Sequence, residues 1–335
     1  MRPIRLRQLV FLVSLLVGSS VLSILVIALL WTGWIKPQAL AEIRAQRVEV
    51  VRVLARIAEI HVKDKLDGLA SIATQLGAEW PRLARLPLQR ELDAYRAVLQ
   101  LPTLFVTSPD GRPLAFSPLR TPDGASNLGR SYEDRDYFRE VVRSQRLAVS
   151  GIIDGRAAQE LVVAAALPVR SRGKTVAYLI GTISLQSSAQ AIEQAAGPTG
   201  GWFALVDRDR RAVHIDPERR QLVAQDWSRH PALSALGQEE AAGFVDIDEV
   251  ESLVTQAPIA SLRVNLAFIG RVRTLLAGQQ RLLRVVLLAV VVNVAASVAV
   301  SMVIGFEFLR EHRRPPAPPP PPAAEQERSE ELSRV

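Results

Sequence analysis

The chain has 335 residues, with 41 Lys and Arg against 34 Asp and Glu, four His and no Cys. This length allows one large domain or two small ones, and the lack of cysteine excludes disulfide frameworks, Cys-ligated metal clusters and thiol nucleophiles. The net charge of +7 is dispersed, since residues 36–281 hold 32 basic and 28 acidic side chains, so no segment carries the concentrated basic stripe that nucleic-acid binding requires.

Two long apolar stretches predict membrane-spanning helices. Residues 9–35 contain no charged side chain and exceed the roughly 20 residues that cross a hydrocarbon core. This stretch is too long for the apolar region of a cleaved signal peptide, although Ala39-Leu40-Ala41 is similar to a cleavage site. The second helix is predicted at residues 282–309, with Asn293 as the most polar side chain of its apolar core.

Basic residues on the flanks nearest the two chain termini predict the topology. These residues are Arg2, Arg5, Arg7, Arg310, Arg313 and Arg314. Because short cytoplasmic flanks of membrane proteins are enriched in Lys and Arg, we expect residues 1–8 and 310–335 in the cytoplasm. Residues 36–281 are then expected in the periplasm of a bacterial inner-membrane protein.

Residues 38–78 predict one long helix, because apolar side chains recur at helical spacing without an intervening proline. A second helix is predicted at residues 90–101. Ser131 and Asp134 are the predicted caps of a third helix, which runs to Gln145. The other elements predicted in this half are strands at 103–108, 113–117, 148–154, 160–169 and 175–185 and a helix at 186–196.

A second, smaller unit begins at Gly197. Its predicted strands cover residues 202–207, 212–216, 244–250, 252–258 and 263–269. Consecutive hairpins with few intervening helices predict antiparallel sheets, and hence an α+β fold in which two five-stranded sheets pack on one long helix.

Four motifs follow one another in this middle region. Tyr132–Phe138 reads Y-x-x-R-D-Y-F, Ser150-Gly151 follows it, and residues 168–185 and 200–207 supply two further motifs. In this order they resemble the double Cache (dCache) sensor domains of bacterial chemoreceptors, sensor histidine kinases and diguanylate cyclases. The resemblance covers about residues 36–281.

The resemblance implies two tandem PAS-like (Cache) antiparallel-sheet modules behind the long N-terminal helix. The membrane-distal module is expected at about 80–196 and the membrane-proximal module at about 197–270, with the ligand pocket in the distal one. Carried over by position, the pocket residues are Tyr132, Arg135, Tyr137, Phe138, Asp154 and Thr182.

These residues also define the expected ligand. Arg135 offers a planar guanidinium for a carboxylate, and the aromatic rings offer apolar walls. Amino-acid-binding members of the family carry an Asp where Thr182 stands, so a ligand ammonium group lacks its charge partner here, and the resemblance implies a small anionic or carboxylate ligand. The residues alone leave other roles open: an ion pair with the adjacent aspartates for Arg135, core packing for the two rings of the motif, and a turn for Asp154.

The sequence predicts no enzyme, no metal and no cofactor. The four histidines are scattered without metal-ligand spacing, and no nucleophile is paired with a base. Residues 171–175 are similar to a phosphate loop but lack its first glycine, which favours a turn. The acidic residues between 246 and 251 lack the glycine of a calcium loop and alternate with apolar residues, which is typical of a solvated strand face.

The second span and the tail predict the partners. Asn293, Ser297, Ser301 and Gly305 lie four apart on one helix face, which favours a homodimer through the spans, although such small residues are also common in bacterial spans. A Pro-rich stretch at 315–322 predicts an extended spacer, and no kinase, cyclase or signalling coiled coil follows it.

The sequence therefore predicts a membrane-anchored periplasmic ligand sensor that lacks its own output domain and signals through a separate cytoplasmic or membrane partner. The alternative is a structural or scaffolding component of an envelope assembly whose domain binds protein.

Overall fold

The computed structural model describes residues 6–82, 85–197, 199–215, 222–234 and 242–312. Residues 38–277 form one compact unit, and the two terminal regions form another. The predicted Pro-rich spacer at 315–322 lies outside the described residues.

Eight helices are described in the ranges above. They are α1 (Leu6–Leu30), α2 (Lys36–Glu79), α3 (Arg85–Leu99), α4 (Asp136–Ser144), α5 (Leu185–Ala196), α6 (Pro231–Ser234), α7 (Val272–Leu275) and α8 (Ala277–His312). A π-helical turn, Trp31–Ile35, separates α1 from α2. The long helix predicted at 38–78 is confirmed by α2.

Two helical stretches of the described residues are long and apolar enough to cross a membrane. One begins at Val21 and continues into α2, and the other covers Ala277–Val303 in α8. Only about 6% of each apolar window is buried inside the protein. An apolar helix of the core would be mostly buried, so this exposure is what a lipid-facing span requires.

The distal module is one antiparallel sheet. Its strands are β1 (Leu104–Thr107), β2 (Pro113–Ser117), β3 (Ala148–Val149), β4 (Ile153–Asp154), β5 (Leu161–Ser171) and β6 (Lys174–Ser184). The strand order is β2-β1-β6-β5-β3, and β4 also pairs with β5. Arg172 and Gly173 join β5 to β6 with positive φ angles of 49° and 79°, the conformation that a two-residue hairpin turn favours.

The proximal module is a second antiparallel sheet. Its strands are β7 (Gly201–Asp207), β8 (Arg211–Ile215), β9 (Leu222–Asp226), β10 (Ala242–Ile247), β11 (Val250–Ile259) and β12 (Val264–Arg271). The strand order is β10-β11-β12-β7-β8-β9. The predicted α+β fold with a long helix and two antiparallel sheets is confirmed.

Three details of the sequence prediction were wrong. Within the described ranges each sheet has six strands rather than five, because the predicted strand at 148–154 is two short strands and because the prediction missed β9. Asp248 and Glu249 form a turn with positive φ inside the strand predicted at 244–250. The N-cap of α4 is Arg135, whose side chain makes no capping bond, and neither Ser131 nor Asp134 occupies that position.

The long helix α2 packs against both modules, because one apolar cluster joins it to one face of each sheet. This inner-face cluster includes Leu69 and Leu76 of α2, Leu179 of β6 and Leu266 of β12, all fully buried. Side chains alternate along a strand, so the next residues lie on the opposite faces, here called the outer faces. Separate apolar clusters cover these outer faces.

Candidate functional site

Aromatic side chains build the outer face of the distal sheet. The rings of Phe105 and Phe116 stack with centroids 4.4 Å apart, and Tyr132 lies 4.6 Å from Phe105. Phe138 meets Tyr178 edge to face at 5.4 Å. Such pairs add packing energy beyond the burial of their area, so this cluster gives the neighbouring cavity a rigid wall.

A cavity lies beside the aromatic cluster. The sheet contributes Phe105 and Thr182, and Thr103 lies directly before β1. The first turn of α4 and the segment before it contribute Tyr137, Tyr132 and Arg135, and a loop after β4 closes the remaining side. That loop comprises residues 155–158. The cavity volume is about 280 Å³ including its open mouth, of which about 20 Å³ admits the centre of a water molecule.

Two residues that line the cavity each have one polar atom that is buried without a hydrogen-bond partner among the described residues. These atoms are Nε of Arg135 and the hydroxyl of Tyr132. The Nη2 atom of Arg135 donates to the carbonyl oxygen of Asp154 at 3.3 Å, which holds the guanidinium against the cavity. A buried donor without a partner costs about 1–3 kcal/mol, so a bound oxygen atom at this point is stabilising.

Burial sets the protonation of the tyrosines. It raises the pKa of Tyr132, an effect that the nearby guanidinium groups of Arg130, Arg156 and Arg135 partly offset. It also raises the pKa of Tyr137 well above that of free tyrosine. Both hydroxyls therefore remain protonated at neutral pH and are able to donate hydrogen bonds.

Arg156 fixes the loop that closes the cavity. Its guanidinium forms two hydrogen bonds with the carboxylate of Asp134, one of them 2.9 Å long, and donates to the carbonyl oxygen of Ser131 at 3.0 Å. The hydrogen bond from Arg156 is the main reason that the pKa of Asp134 lies below its usual value. The sequence prediction missed Arg156, because its partner lies 22 positions away and such a separation leaves no pattern along the chain.

Five of the six residues predicted for the pocket line the cavity: Tyr132, Arg135, Tyr137, Asp154 and Thr182. Phe138 does not line it, and its ring instead packs edge to face on Tyr178 in the aromatic cluster. The Thr182 hydroxyl is 2.8 Å from the Thr103 hydroxyl and accepts the Thr103 N–H at 3.0 Å, so it ties β6 to the start of β1.

The carboxylate of Asp154 is bound to the proximal module. Its Oδ2 atom accepts a hydrogen bond from Nη2 of Arg211 at 2.9 Å, and Nη1 of Arg211 donates to the carbonyl oxygen of Ile152 at 3.2 Å. Asp207 accepts from the Ile152 N–H at 2.9 Å and from the Arg211 N–H at 2.8 Å. We call Ile152, Asp154, Asp207 and Arg211 the inter-module clasp.

The clasp joins the cavity wall to the β7–β8 hairpin. Arg135 contacts the carbonyl oxygen of Asp154, and the carboxylate of the same residue contacts Arg211. Asp154 therefore contacts both the cavity wall and the proximal module.

The fold is that of the two-module ligand-binding domains of bacterial chemoreceptors, as the double Cache resemblance implied. No family model matches the chain. The chain is similar to the ligand-binding domain of the Pseudomonas aeruginosa PAO1 amino acid chemoreceptor PctB in complex with L-Arg, with 14% identity, a TM-score of 0.57, and coverage of 69% of this chain and 96% of that one.

Two further solved structures share the fold. The ligand-binding domain of Mlp24 with asparagine is 14% identical with a TM-score of 0.56, and the Pseudomonas fluorescens chemoreceptor CtaA in complex with L-isoleucine is 13% identical with a TM-score of 0.56. Each match covers 73% of this chain and 98% of the other. These similar structures are sensor domains rather than enzymes.

Proposed function

We propose that the protein is a membrane-anchored periplasmic sensor that binds a small carboxylate in the distal cavity and signals through a separate partner. The observation that carries this proposal is the pair of buried donors without a partner, Arg135 Nε and the Tyr132 hydroxyl, in a cavity of a sensor-domain fold. A carboxylate has two oxygen atoms with which to accept these hydrogen bonds.

The charges around the cavity support an anion over an amine. Arg135 and Arg156 both line the cavity, and Asp134 neutralises only Arg156. The carboxylate of Asp154 is paired with Arg211, and Thr182 contributes a neutral hydroxyl that is already hydrogen-bonded. A ligand ammonium group thus meets no unpaired carboxylate among the described residues of the cavity wall.

A thermal-shift screen of the full-length protein in detergent micelles tests this proposal. Acetate, pyruvate, lactate and succinate serve as carboxylate probes, and ethylamine serves as the cationic control. We expect at least one carboxylate to raise the unfolding midpoint. At a concentration of 100 times Kd, the bound ligand adds about 2.7 kcal/mol to the free energy of unfolding. A rise with ethylamine and with none of the carboxylates contradicts the proposal.

The placement of residues 36–281 in the periplasm is part of the same proposal. It is supported by the arginine residues on the terminal flanks of the spans. Trypsin added to intact spheroplasts should therefore cleave this region, which contains 32 basic residues. Cleavage only after the membrane is permeabilised would place the domain in the cytoplasm and reject the proposed topology.

We also propose a homodimer in which the α8 helices pack along the face of Asn293, Ser297, Ser301 and Gly305. The hydroxyls of Ser297 and Ser301 donate to carbonyl oxygens one turn earlier, at 2.9 Å and 2.8 Å, so the exposed amide of Asn293 is the group suited to a bond across helices. Asn293→Val should lower inter-helix cross-linking about fivefold, since such bonds contribute about 1 kcal/mol. Val292→Ala, on another face, should not, and equal yields for both variants would contradict this seam.

A further inference from the structure

A second and wider cleft lies on the outer face of the proximal sheet. Its volume is about 1410 Å³ including the open mouth, and about 660 Å³ of this admits the centre of a water molecule. The cleft is lined by Trp202 of β7, His214 of β8, Arg271 of β12, and His230 and Asp248 from the connecting segments.

The cleft occupies the same place in its module as the distal cavity does. The order β8-β7-β12-β11-β10 repeats the order β2-β1-β6-β5-β3. In each module the strand that comes last in the sequence, β6 or β12, passes directly into a helix. Ser184 is the N-cap of α5, and Arg271 is the N-cap of α7. Two residues before these caps lie Thr182 and Ile269.

The cross-strand neighbours of these two residues are equivalent as well. Ile269 pairs with Trp202, as Thr182 is bonded to Thr103. An indole in the proximal module therefore takes the position of a hydroxyl in the distal cavity wall. The same fold element thus presents a larger, aromatic surface to whatever enters the proximal cleft.

Aromatic rings, tilted relative to one another, form one wall of the cleft. The Trp202 ring is 4.7 Å from His214 and meets Trp227 edge to face at 5.8 Å. Trp227 is 1% exposed and stacks on His230 at 4.3 Å, so it supports both neighbours from below. Burial lowers the pKa of His230, and its Nδ1 accepts a hydrogen bond from the Ala232 N–H at 3.2 Å, which leaves Nε2 as the donor of a neutral ring.

Among the residues that the structure describes, one cation and one anion border this surface. Arg271 is exposed and makes no ion pair or side-chain hydrogen bond with the described part of the chain. Asp248 lies in the β10–β11 turn and is close enough to His230 to affect its charge. The exposed guanidinium of Arg271 keeps its full set of N–H donors. The carboxylate of Asp248, in contrast, favours the protonated form of the nearby His230.

We propose that this cleft is a second ligand site, which takes a planar aromatic carboxylate whose ring stacks on Trp202 and whose carboxylate pairs with Arg271. An aromatic face buries the ring, and a guanidinium binds a carboxylate through two parallel hydrogen bonds. The site differs in both size and wall chemistry from the distal cavity, and it stands whether or not that cavity binds a carboxylate.

Calorimetry on the full-length protein in detergent micelles tests the site with four probes. Benzoate and indole-3-carboxylate are expected to bind, while cyclohexanecarboxylate, which lacks a π face, and benzylamine, which has the opposite charge, are expected to bind at least tenfold more weakly. Equal binding of cyclohexanecarboxylate, preferential binding of benzylamine, or no heat with either aromatic carboxylate would overturn the proposal.

Variants locate the binding. Arg271→Ala should raise the Kd for indole-3-carboxylate about 10- to 100-fold, as expected for the loss of a charge-assisted bond. Trp202→Ala should lose the binding of indole-3-carboxylate, whereas Trp202→Phe should retain it. Asp248→Asn should tighten this binding, because the substitution removes a repulsive charge. Arg135→Ala, in the distal cavity, should leave it unchanged. An Arg271→Ala protein with unaltered affinity would overturn the site, as would an Arg135→Ala protein that no longer binds the probe.

Discussion

Replacing Arg135 with alanine should greatly weaken the binding of the carboxylate that stabilises the protein. The guanidinium is held between the cavity and the Asp154 carbonyl, and its Nε is buried without a partner among the described residues. Removal of one member of a buried, hydrogen-bonded charge pair costs about 2–5 kcal/mol. Since 1.4 kcal/mol is tenfold in affinity, Kd should rise by at least roughly 30-fold. Calorimetry with the carboxylate selected in the thermal-shift screen measures this change.

Two variants control this experiment. Arg143→Ala removes an exposed guanidinium from the other end of α4 and should leave Kd unchanged. Arg135→Lys keeps the charge but not the planar pair of donors, so it should bind with intermediate affinity. A loss of affinity in Arg143→Ala equal to that in Arg135→Ala would show that the overall positive charge of α4, rather than Arg135, attracts the ligand.

The spacing of apolar residues predicted the fold correctly wherever a segment buries one of its faces. The apolar spacing of α2 arises because that helix packs on both sheets, and the turn at Arg172 and Gly173 has a sequence signal of its own. The strand β9 was missed, because its side chains are only partly buried or exposed and show no alternation. The predicted caps of α4 were wrong because the Asp134 carboxylate is bound to Arg156, a partner that the local sequence does not reveal.

The candidate site was predictable only through the resemblance. The motif supplied Arg135 and Tyr137 but also Phe138, and adjacent residues of a helix point in directions about 100° apart, so one ring reaches the cavity and its neighbour enters the core. The contacts that hold the cavity wall are long-range. Asp207 and Ile152 are 55 residues apart, and neither spacing nor composition pairs them.

Replacing Asp207 with alanine should destabilise the compact unit of residues 38–277 more than any other single change at the clasp. Asp207 is 8% exposed, and its carboxylate accepts hydrogen bonds from the N–H groups of Ile152 and Arg211, which belong to different modules. Both donors would lose their partner, at about 1–3 kcal/mol each, so a loss of about 2–6 kcal/mol is expected. Thermal and urea unfolding of the full-length protein in detergent micelles would detect a loss of this size as a large fall in the midpoint.

A matched set of variants separates the clasp from a general charge effect. Asp209→Ala removes an exposed carboxylate two residues away and should change the midpoint little. Asp207→Asn retains one acceptor oxygen and should lie between the two, because it satisfies only one of the two N–H groups. Arg211→Ala combined with Asp154→Ala should cost less than the sum of the single changes, since the two side chains are hydrogen-bonded to each other. Additive losses for that pair, or an Asp207→Ala protein as stable as Asp209→Ala, would mean that the modules are held together by their shared apolar core alone.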